Sequence, residues 1–174
     1  MAEPASPRPD WPRYAGQRAL PPYRYVPGLN PHPVSDPAGH SHGHRPERVR
    51  VPAPEDWAAC APYLWAVDLH NFAYWWEAHE AWEGLWQETD KKGTQARFLQ
   101  GLIQVSAGLL KAHLGSAAGR TVLLNEALAK LRETAAGHPR YMGLDVADYV
   151  RKVEACLALP LPLPAESIPM IRLL

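Results

Sequence analysis

His79 and several glutamates lie among the tryptophans of the segment 75–88. His79 and Glu83 are four residues apart, as are the two metal ligands of the helical zinc-protease motif, and Glu80 takes the place of its general base. The second histidine of that motif is replaced here by Glu83. The pattern is therefore consistent with a divalent-metal site on His79 and Glu83, with Glu80 as a candidate catalytic residue of a hydrolase-like reaction.

A third metal ligand would have to come from another part of the chain. His113, His32 and His40 are the candidates. The last two belong to a Pro/His-rich stretch in which His40, His42 and His44 alternate, so an extended backbone would place three imidazoles on one side. The alternative is a hydrated, histidine-rich turn that binds metal only adventitiously, and we favour that interpretation of the stretch.

The same central segment also fits a pocket for a small molecule. Tryptophan rings would form its walls and polar side chains would anchor a ligand, a composition typical of binding sites. A cationic ligand would suit carboxylates beside indole rings. The candidate binding residues are Trp75, Trp76, His79, Trp82, Glu83, Trp86 and Gln100.

A third interpretation needs no ligand, and it is the one that the sequence favours. His79 and Glu83 would be a hydrogen-bonded pair four residues apart that fixes the register of packed helices. The tryptophans would fill the core, and the function would lie in assembly with another copy or with a protein partner. The sequence assigns no enzymatic reaction.

Helical spacing places these residues on one long helix that begins at Asp68, whose carboxylate is suited to cap a free backbone N–H. The helix should fade at 89–93, where lysines and Gly93 suit its C-terminal end. Glu77 lies about 160° from His79 around the helix and should face water. The predicted inward stripe is Phe72, Trp75, His79, Trp82 and Trp86.

The remaining pattern predicts an all-α helical bundle of about four main helices. Residues 55–65 form a short helix or turn interrupted near Pro62. Further helices cover about 94–114, with Thr94 as N-cap, and about 118–136. Asp145 caps the last one, with Asp148 in the style of a capping box. No strand pattern stands out.

Proline content divides the chain into four parts. Most of its 19 prolines fall before residue 55, and proline blocks regular helix. Residues 1–20 are predicted to be a disordered tail, 21–54 an irregular strap laid over or near the His79 face, 55–158 the helical bundle, and 159–174 an irregular C-terminal tail.

Composition excludes several classes of function. Lys+Arg and Asp+Glu are both 18 and no basic stripe is visible, which argues against nucleic-acid binding. No apolar run is long enough for a membrane span or a signal peptide, so a cytoplasmic protein is expected. The two cysteines, Cys60 and Cys156, lack metal-type spacing and should be reduced and buried.

The motif Glu77-Ala-His-Glu-x-Trp-Glu-x-x-Trp86, followed by Phe98-Leu-Gln-Gly-Leu-Ile-Gln104, resembles the family called domain of unknown function 309. The resemblance covers roughly residues 60–135. It implies a small, all-helical prokaryotic protein and no particular activity. His70 stands at a position where a hydrophobic or aromatic residue is more usual in this family. We therefore assign His70 no role in a site. The proline-rich arm lies outside the resemblance.

Overall fold

The computed structural model describes residues 2–16, 18–44 and 50–174. Within these ranges the helices are α1 (Ala61–Asn71), α2 (Trp75–Gln87), α3 (Thr94–His113), α4 (Ala117–Gly137) and α5 (Val146–Ala158). Two-residue strands β1 (Arg140–Tyr141) and β2 (Leu144–Asp145) pair antiparallel, and short 3-10 turns span Pro54–Ala59 and Ala165–Ser167. Each helix packs mainly against its neighbours in the chain. The predicted all-α fold is confirmed, with a small hairpin that the sequence did not indicate.

The predicted single helix from Asp68 is wrong, because the chain breaks between α1 and α2. Ala73 adopts a φ of +65°, a conformation that ends a right-handed helix. Its N–H donates to the His70 carbonyl, and the Tyr74 N–H donates to the Leu69 carbonyl. The break changes the direction of the chain, so residues before it do not continue the stripe of α2.

The buried face of α2 consists of Trp75, Ala78, Trp82 and Leu85. His79, Glu83 and Trp86 lie beside this face and are half-buried. The predicted inward stripe is therefore shifted around the helix from the buried face. The prediction placed His79 at the centre of the stripe, whereas Ala78 and Leu85 occupy inward positions.

Helix α1 is buried on nearly all sides, and its polar residues bind the two ends of the chain. Asp68 was predicted to be an N-cap but lies inside α1, fully buried. Its carboxylate accepts hydrogen bonds from the backbone N–H groups of Tyr14 and Ala15, both at 2.8 Å, and lies 3.4 Å from Arg13 Nε. The carboxylate does bind free backbone N–H groups, but these belong to the N-terminal arm (residues before α1) and not to the start of a helix.

The C-terminal tail is bound to the end of α1 in a similar way. The Asn71 side chain donates to the Ile171 carbonyl at 2.7 Å and accepts from its N–H at 2.8 Å. His70 Nε2 lies 2.9 Å from the carbonyl oxygen of Pro169. Further along, Leu173 forms a bridge to Leu144 of β2.

The sequence predicts disorder for residues 1–20, whereas the described residues of this stretch lie against the bundle. Trp11, Tyr14, Ala15 and Leu20 pack on the hydrophobic core. Met1 and Gln17, within the predicted tail, and residues 45–49 of the predicted strap lie outside the described residues.

Several local predictions hold in the bundle. The Asp145 side chain accepts from the Asp148 N–H at 2.8 Å and caps α5. The cap position of α3, by contrast, is Gly93 rather than Thr94. Gly108 allows α3 and α4 to approach closely, since a Cβ there would lie 2.7 Å from Leu124 Cδ2. Both cysteines are free and buried, as predicted.

Candidate functional site

Glu77 is the most unusual residue of α2, because it is a carboxylate on the side opposite the core and yet is buried. The prediction that it faces water is wrong: the residue is 6% exposed. Its Oε1 accepts a hydrogen bond from the Tyr25 N–H at 2.9 Å and lies 3.2 Å from His40 Nε2. The strap covers the outer face of α2 here, and helical periodicity contains no information about such a cover.

A chain of three polar side chains continues from Glu77 through His40 to Ser41. The Nδ1 atom of His40 lies 2.9 Å from Ser41 Oγ, while its Nε2 faces Glu77. The side chains of His40 and Glu77 are 8% and 5% exposed. Such shielding strengthens the interaction between the imidazole and the carboxylate.

The environment of Glu77 changes its acidity. Burial raises the pKa of Glu77, and this increase is opposed by the hydrogen bonds from the Tyr25 N–H and from His40. Its second oxygen, Oε2, is buried and has no hydrogen-bond partner among the described residues. A buried polar atom without a partner is costly, and such atoms are enriched at functional sites.

The strap holds His40 and Ser41 through a compact turn. The Ser41 N–H donates to the Pro33 carbonyl at 2.9 Å, and the Tyr23 hydroxyl accepts from the His40 N–H at 3.2 Å. Gly39 is required where the turn closes, since a Cβ there would lie 2.3 Å from the His32 carbonyl oxygen. His40 and Ser41 are thus positioned by hydrogen bonds that their backbone N–H groups donate within the strap.

Aromatic rings connect the strap to the start of α2. Trp76 meets the rings of Tyr25 and His32 edge-on, each at 5.2 Å between centroids. His32 therefore contacts Trp76 through its ring, and its Nδ1 accepts from backbone N–H groups of its own turn, at Val34 and Ser35. Trp76 joins strap and bundle at the edge of the Glu77 site.

A cleft of about 740 Å³ lies between the strap and the outer faces of α1 and α2. Its polar residues include Glu77, His40 and Ser41, and its walls include the rings of Trp65 and Trp76. Arg18 lines the same cleft and places its guanidinium 4.7 Å from the Trp65 ring centroid. The other lining residues are Ala19, Pro21, Pro22, Val34, His44, Pro62, Leu69, Glu80, Ala81, Gly84 and Leu85.

A second cluster of polar side chains lies beside the cleft. His79, Glu80 and Glu83 each offer one ligand atom, and these atoms all lie within 4.8 Å of one another. His79 Nδ1 is 3.4 Å from Glu80 Oε1. His79 and Glu83 are half-buried and Glu80 is exposed, so the group is open to solvent on one side. Glu80 belongs both to this group and to the lining of the cleft.

The structure separates the other predicted ligands from this group. His40 is paired with Glu77, and His32 lies against Trp76. His113 Nε2 lies 2.8 Å from the carbonyl oxygen of Ala2. These three histidines do not belong to the group of ligand atoms around His79.

The predicted tryptophan walls are also distributed differently. Trp82 is fully buried and Trp75 nearly so, both in the core. The ammonium of Lys91 lies over the Trp86 ring, 4.0 Å from the ring centroid. Gln100 is half-buried on α3 and does not line the cleft. Trp76 alone among the predicted binding residues borders the cleft.

His70 is a buried polar residue that sequence reasoning set aside. Its Nε2 must donate to the Pro169 carbonyl, so Nδ1 accepts from the Ser106 hydroxyl at 2.9 Å. Tyr149 Oη lies 3.2 Å from the same Nε2. Burial lowers the pKa of His70 to about 4. The neutral imidazole is the form that makes both hydrogen bonds, one as donor and one as acceptor.

Residues 63–123 match the family model described as domain of unknown function (DUF309). Over this segment the chain is similar to the DUF309 family. No curated protein and no solved structure matches the chain. The DUF309 segment contains most of α1, all of α2 and α3, and the start of α4, so it provides the helical wall of the cleft, while the strap lies outside it. None of the described helices is both long and apolar enough to cross a bilayer.

Proposed function

We propose that this protein binds a small organic molecule in the cleft between the strap and helices α1 and α2. The observation that carries the proposal is the buried Glu77 carboxylate, which lines the cleft and keeps one oxygen without a partner among the described residues. An uncompensated carboxylate oxygen destabilises a fold. Its presence beside a cleft with aromatic walls is typical of a ligand site.

The composition of the cleft supports the same function. Trp65, Trp76 and Leu69 provide apolar surface, and Arg18, Glu77 and Glu80 are charged residues that could anchor a ligand. The volume of about 740 Å³ is within the range of cavities that hold small organic ligands. The site differs from the predicted one, since Glu77 and Glu80 border it where His79 and Glu83 were expected.

The purely structural interpretation explains part of this arrangement. Hydrogen bonds from the Tyr25 N–H and from His40 hold the strap against α2 through Glu77. They do not require a cleft, and they leave Glu77 Oε2 without a partner among the described residues. A binding function accounts for both features.

Filling the cleft from α2 is expected to weaken ligand binding while the fold remains intact. Gly84 lines the cleft, and a Cβ at this position meets nothing within 4 Å. In Gly84→Leu the new side chain would occupy space that a ligand needs. Compounds that bind the native chain, found by ligand-observed NMR with a library of metabolite-sized molecules, should bind at least about tenfold more weakly.

Gly137→Leu provides the matched control. Gly137 is also a helical glycine with nothing within 4 Å of its Cβ position, and it does not line the cleft. It should bind the same compounds as the native chain. Equal binding by Gly84→Leu would contradict the proposal, as would a library without a single binder, in which case the structural interpretation would be the better one.

A divalent metal at His79, Glu80 and Glu83 is a second candidate function. The observation that favours it is the distance of 4.8 Å or less between their ligand atoms. One imidazole and two carboxylates suit Zn²⁺ or Mn²⁺, and three protein ligands leave positions for water or substrate, as in catalytic sites. Glu80 would then connect the metal to the cleft.

Zn²⁺ titration of the untagged protein tests this second candidate. We expect one ion per chain by calorimetry, and His79→Ala should weaken its binding at least about tenfold, because the imidazole is lost as a ligand. His42→Ala is the control, since His42 is exposed and lies outside the group. Equal zinc affinity in both variants would exclude the His79 site.

A further inference from the structure

We propose that Glu77, His40 and Ser41 form a catalytic triad in this cleft, with Ser41 Oγ as the nucleophile toward a carboxylic ester. The proposal rests on the proposed function, because the ester would be the molecule that the cleft binds. It adds a reaction and assigns a role to each polar residue. The strap, which lies outside the DUF309 match, would supply both the nucleophile and the base.

The geometry contains the two contacts that nucleophilic catalysis by serine requires. The nucleophile touches its base, since Ser41 Oγ lies 2.9 Å from His40 Nδ1. The base touches a carboxylate that orients it, since His40 Nε2 lies 3.2 Å from Glu77 Oε1. All three residues line the cleft, so a ligand bound there lies next to the hydroxyl.

The two contacts define the state of the imidazole. With Nε2–H donating to Glu77 Oε1, the lone pair of Nδ1 accepts the hydrogen bond from the Ser41 hydroxyl. In chymotrypsin-type triads the two nitrogens have the opposite roles. Either nitrogen can act as the base once the other carries the proton. The side chains of His40 and Glu77 are almost completely buried, so water competes little for the hydrogen bond between His40 Nε2 and Glu77 Oε1.

The reaction proceeds in two balanced steps. Ser41 Oγ attacks the ester carbonyl carbon while its proton moves to His40 Nδ1, and the C–O bond of the ester then breaks as Nδ1 returns the proton to the leaving alcohol. Water next attacks the acyl carbon, with its proton taken by Nδ1, and the acid is released as Ser41 regains its hydrogen. Glu77 stabilises the imidazolium in both steps. Arg18 brings a fixed positive charge to the same cleft, where negative charge develops on the carbonyl oxygen.

A fluorophosphonate probe tests the proposal directly on the full chain. The probe forms a covalent bond with an activated serine hydroxyl and releases fluoride. Intact-mass measurement and peptide mapping should show one adduct, located at Ser41. The adduct should be absent in Ser41→Ala, and in His40→Ala the labelling rate should fall about 100-fold or more, the size typical of loss of a general base.

Ser35→Ala is the matched control, since Ser35 lies on the same strap and is exposed. It should be labelled at the native rate. Because His40→Ala removes contacts of the strap, its melting temperature is measured alongside, and p-nitrophenyl acetate provides a second readout. The native chain should release p-nitrophenol in a burst of one equivalent, which Ser41→Ala should lack.

The outcomes separate this proposal from the binding function. Compounds that bind the native chain and not Gly84→Leu, without any adduct at Ser41, would overturn the triad and leave the binding site in place. Labelling of Ser41 that persists at the native rate in His40→Ala would also overturn it, because the hydroxyl would then be reactive without its base. An adduct at Ser41 that depends on His40 supports the triad, with Ser41 as the nucleophile and His40 as its base.

Discussion

Asp68→Ala is expected to release the N-terminal arm from α1 and to lower the free energy of unfolding by about 3 kcal/mol, the cost typical of removing one member of a buried charged network. The Asp68 carboxylate is fully buried and accepts the backbone N–H groups of Tyr14 and Ala15. Without it, these donors and Arg13 lose a buried acceptor. Chemical denaturation gives the energy, and hydrogen exchange at Tyr14 and Ala15 should become fast.

Asp10→Ala serves as the control for this effect. Asp10 lies in the same arm, and its contact with Arg8 is at the surface, with the Asp10 side chain 77% exposed. Its removal should leave both measurements unchanged. If Asp68→Ala denatured at the native midpoint, the arm would contribute nothing to the stability of the bundle.

Acidification is expected to destabilise the native chain through His70. Its folded pKa is about 4 and its ordinary value is 6.5, so the folded state binds fewer protons than the unfolded state between these values. The contribution of the neutral imidazole is fully present above pH 6.5 and is lost as the pH falls through about 4. The difference corresponds to about 3 kcal/mol.

Comparison with His70→Gln separates the contribution of His70 to the free energy of unfolding from the contributions of other groups that titrate in acid. A glutamine can accept from the Ser106 hydroxyl and donate to the Pro169 carbonyl, and it carries no titratable proton. Denaturation midpoints of both proteins are measured from pH 7 to pH 4. The stability of the native chain should fall more steeply, by up to about 3 kcal/mol. Parallel curves would show that His70 does not titrate differently in the two states.

The helices of the second half were predictable because their signals are local. Asp145 with Asp148 defines the start of α5, and the end of α3 follows from a Gly-containing turn at Gly115. The break between α1 and α2 was not predictable, because Ala73 has no intrinsic preference for a positive φ. Tertiary packing of both helices imposes that conformation.

Part of the geometry of the candidate site was predictable. Helical spacing identified His79, Glu80 and Glu83 as neighbours, and their ligand atoms do lie close together. Glu77 was assigned to solvent, since a helical wheel counts only the burial that other helices of the bundle provide. Here an irregular strap buries the outer face of α2 at Tyr25 and His40. No periodicity relates a proline-rich segment to the surface that it covers.

The sequence by itself determined the helical class, the similarity of one segment to the DUF309 family and the presence of a polar segment among tryptophans, because helix periodicity and short motifs depend on residues close in the chain. Only the tertiary structure decided which polar residues meet. His40 reaches Glu77 across 37 positions, and Asp68 reaches Tyr14 across 54. Contacts of this kind depend on where an irregular segment packs, which is determined by the whole fold rather than by local preference.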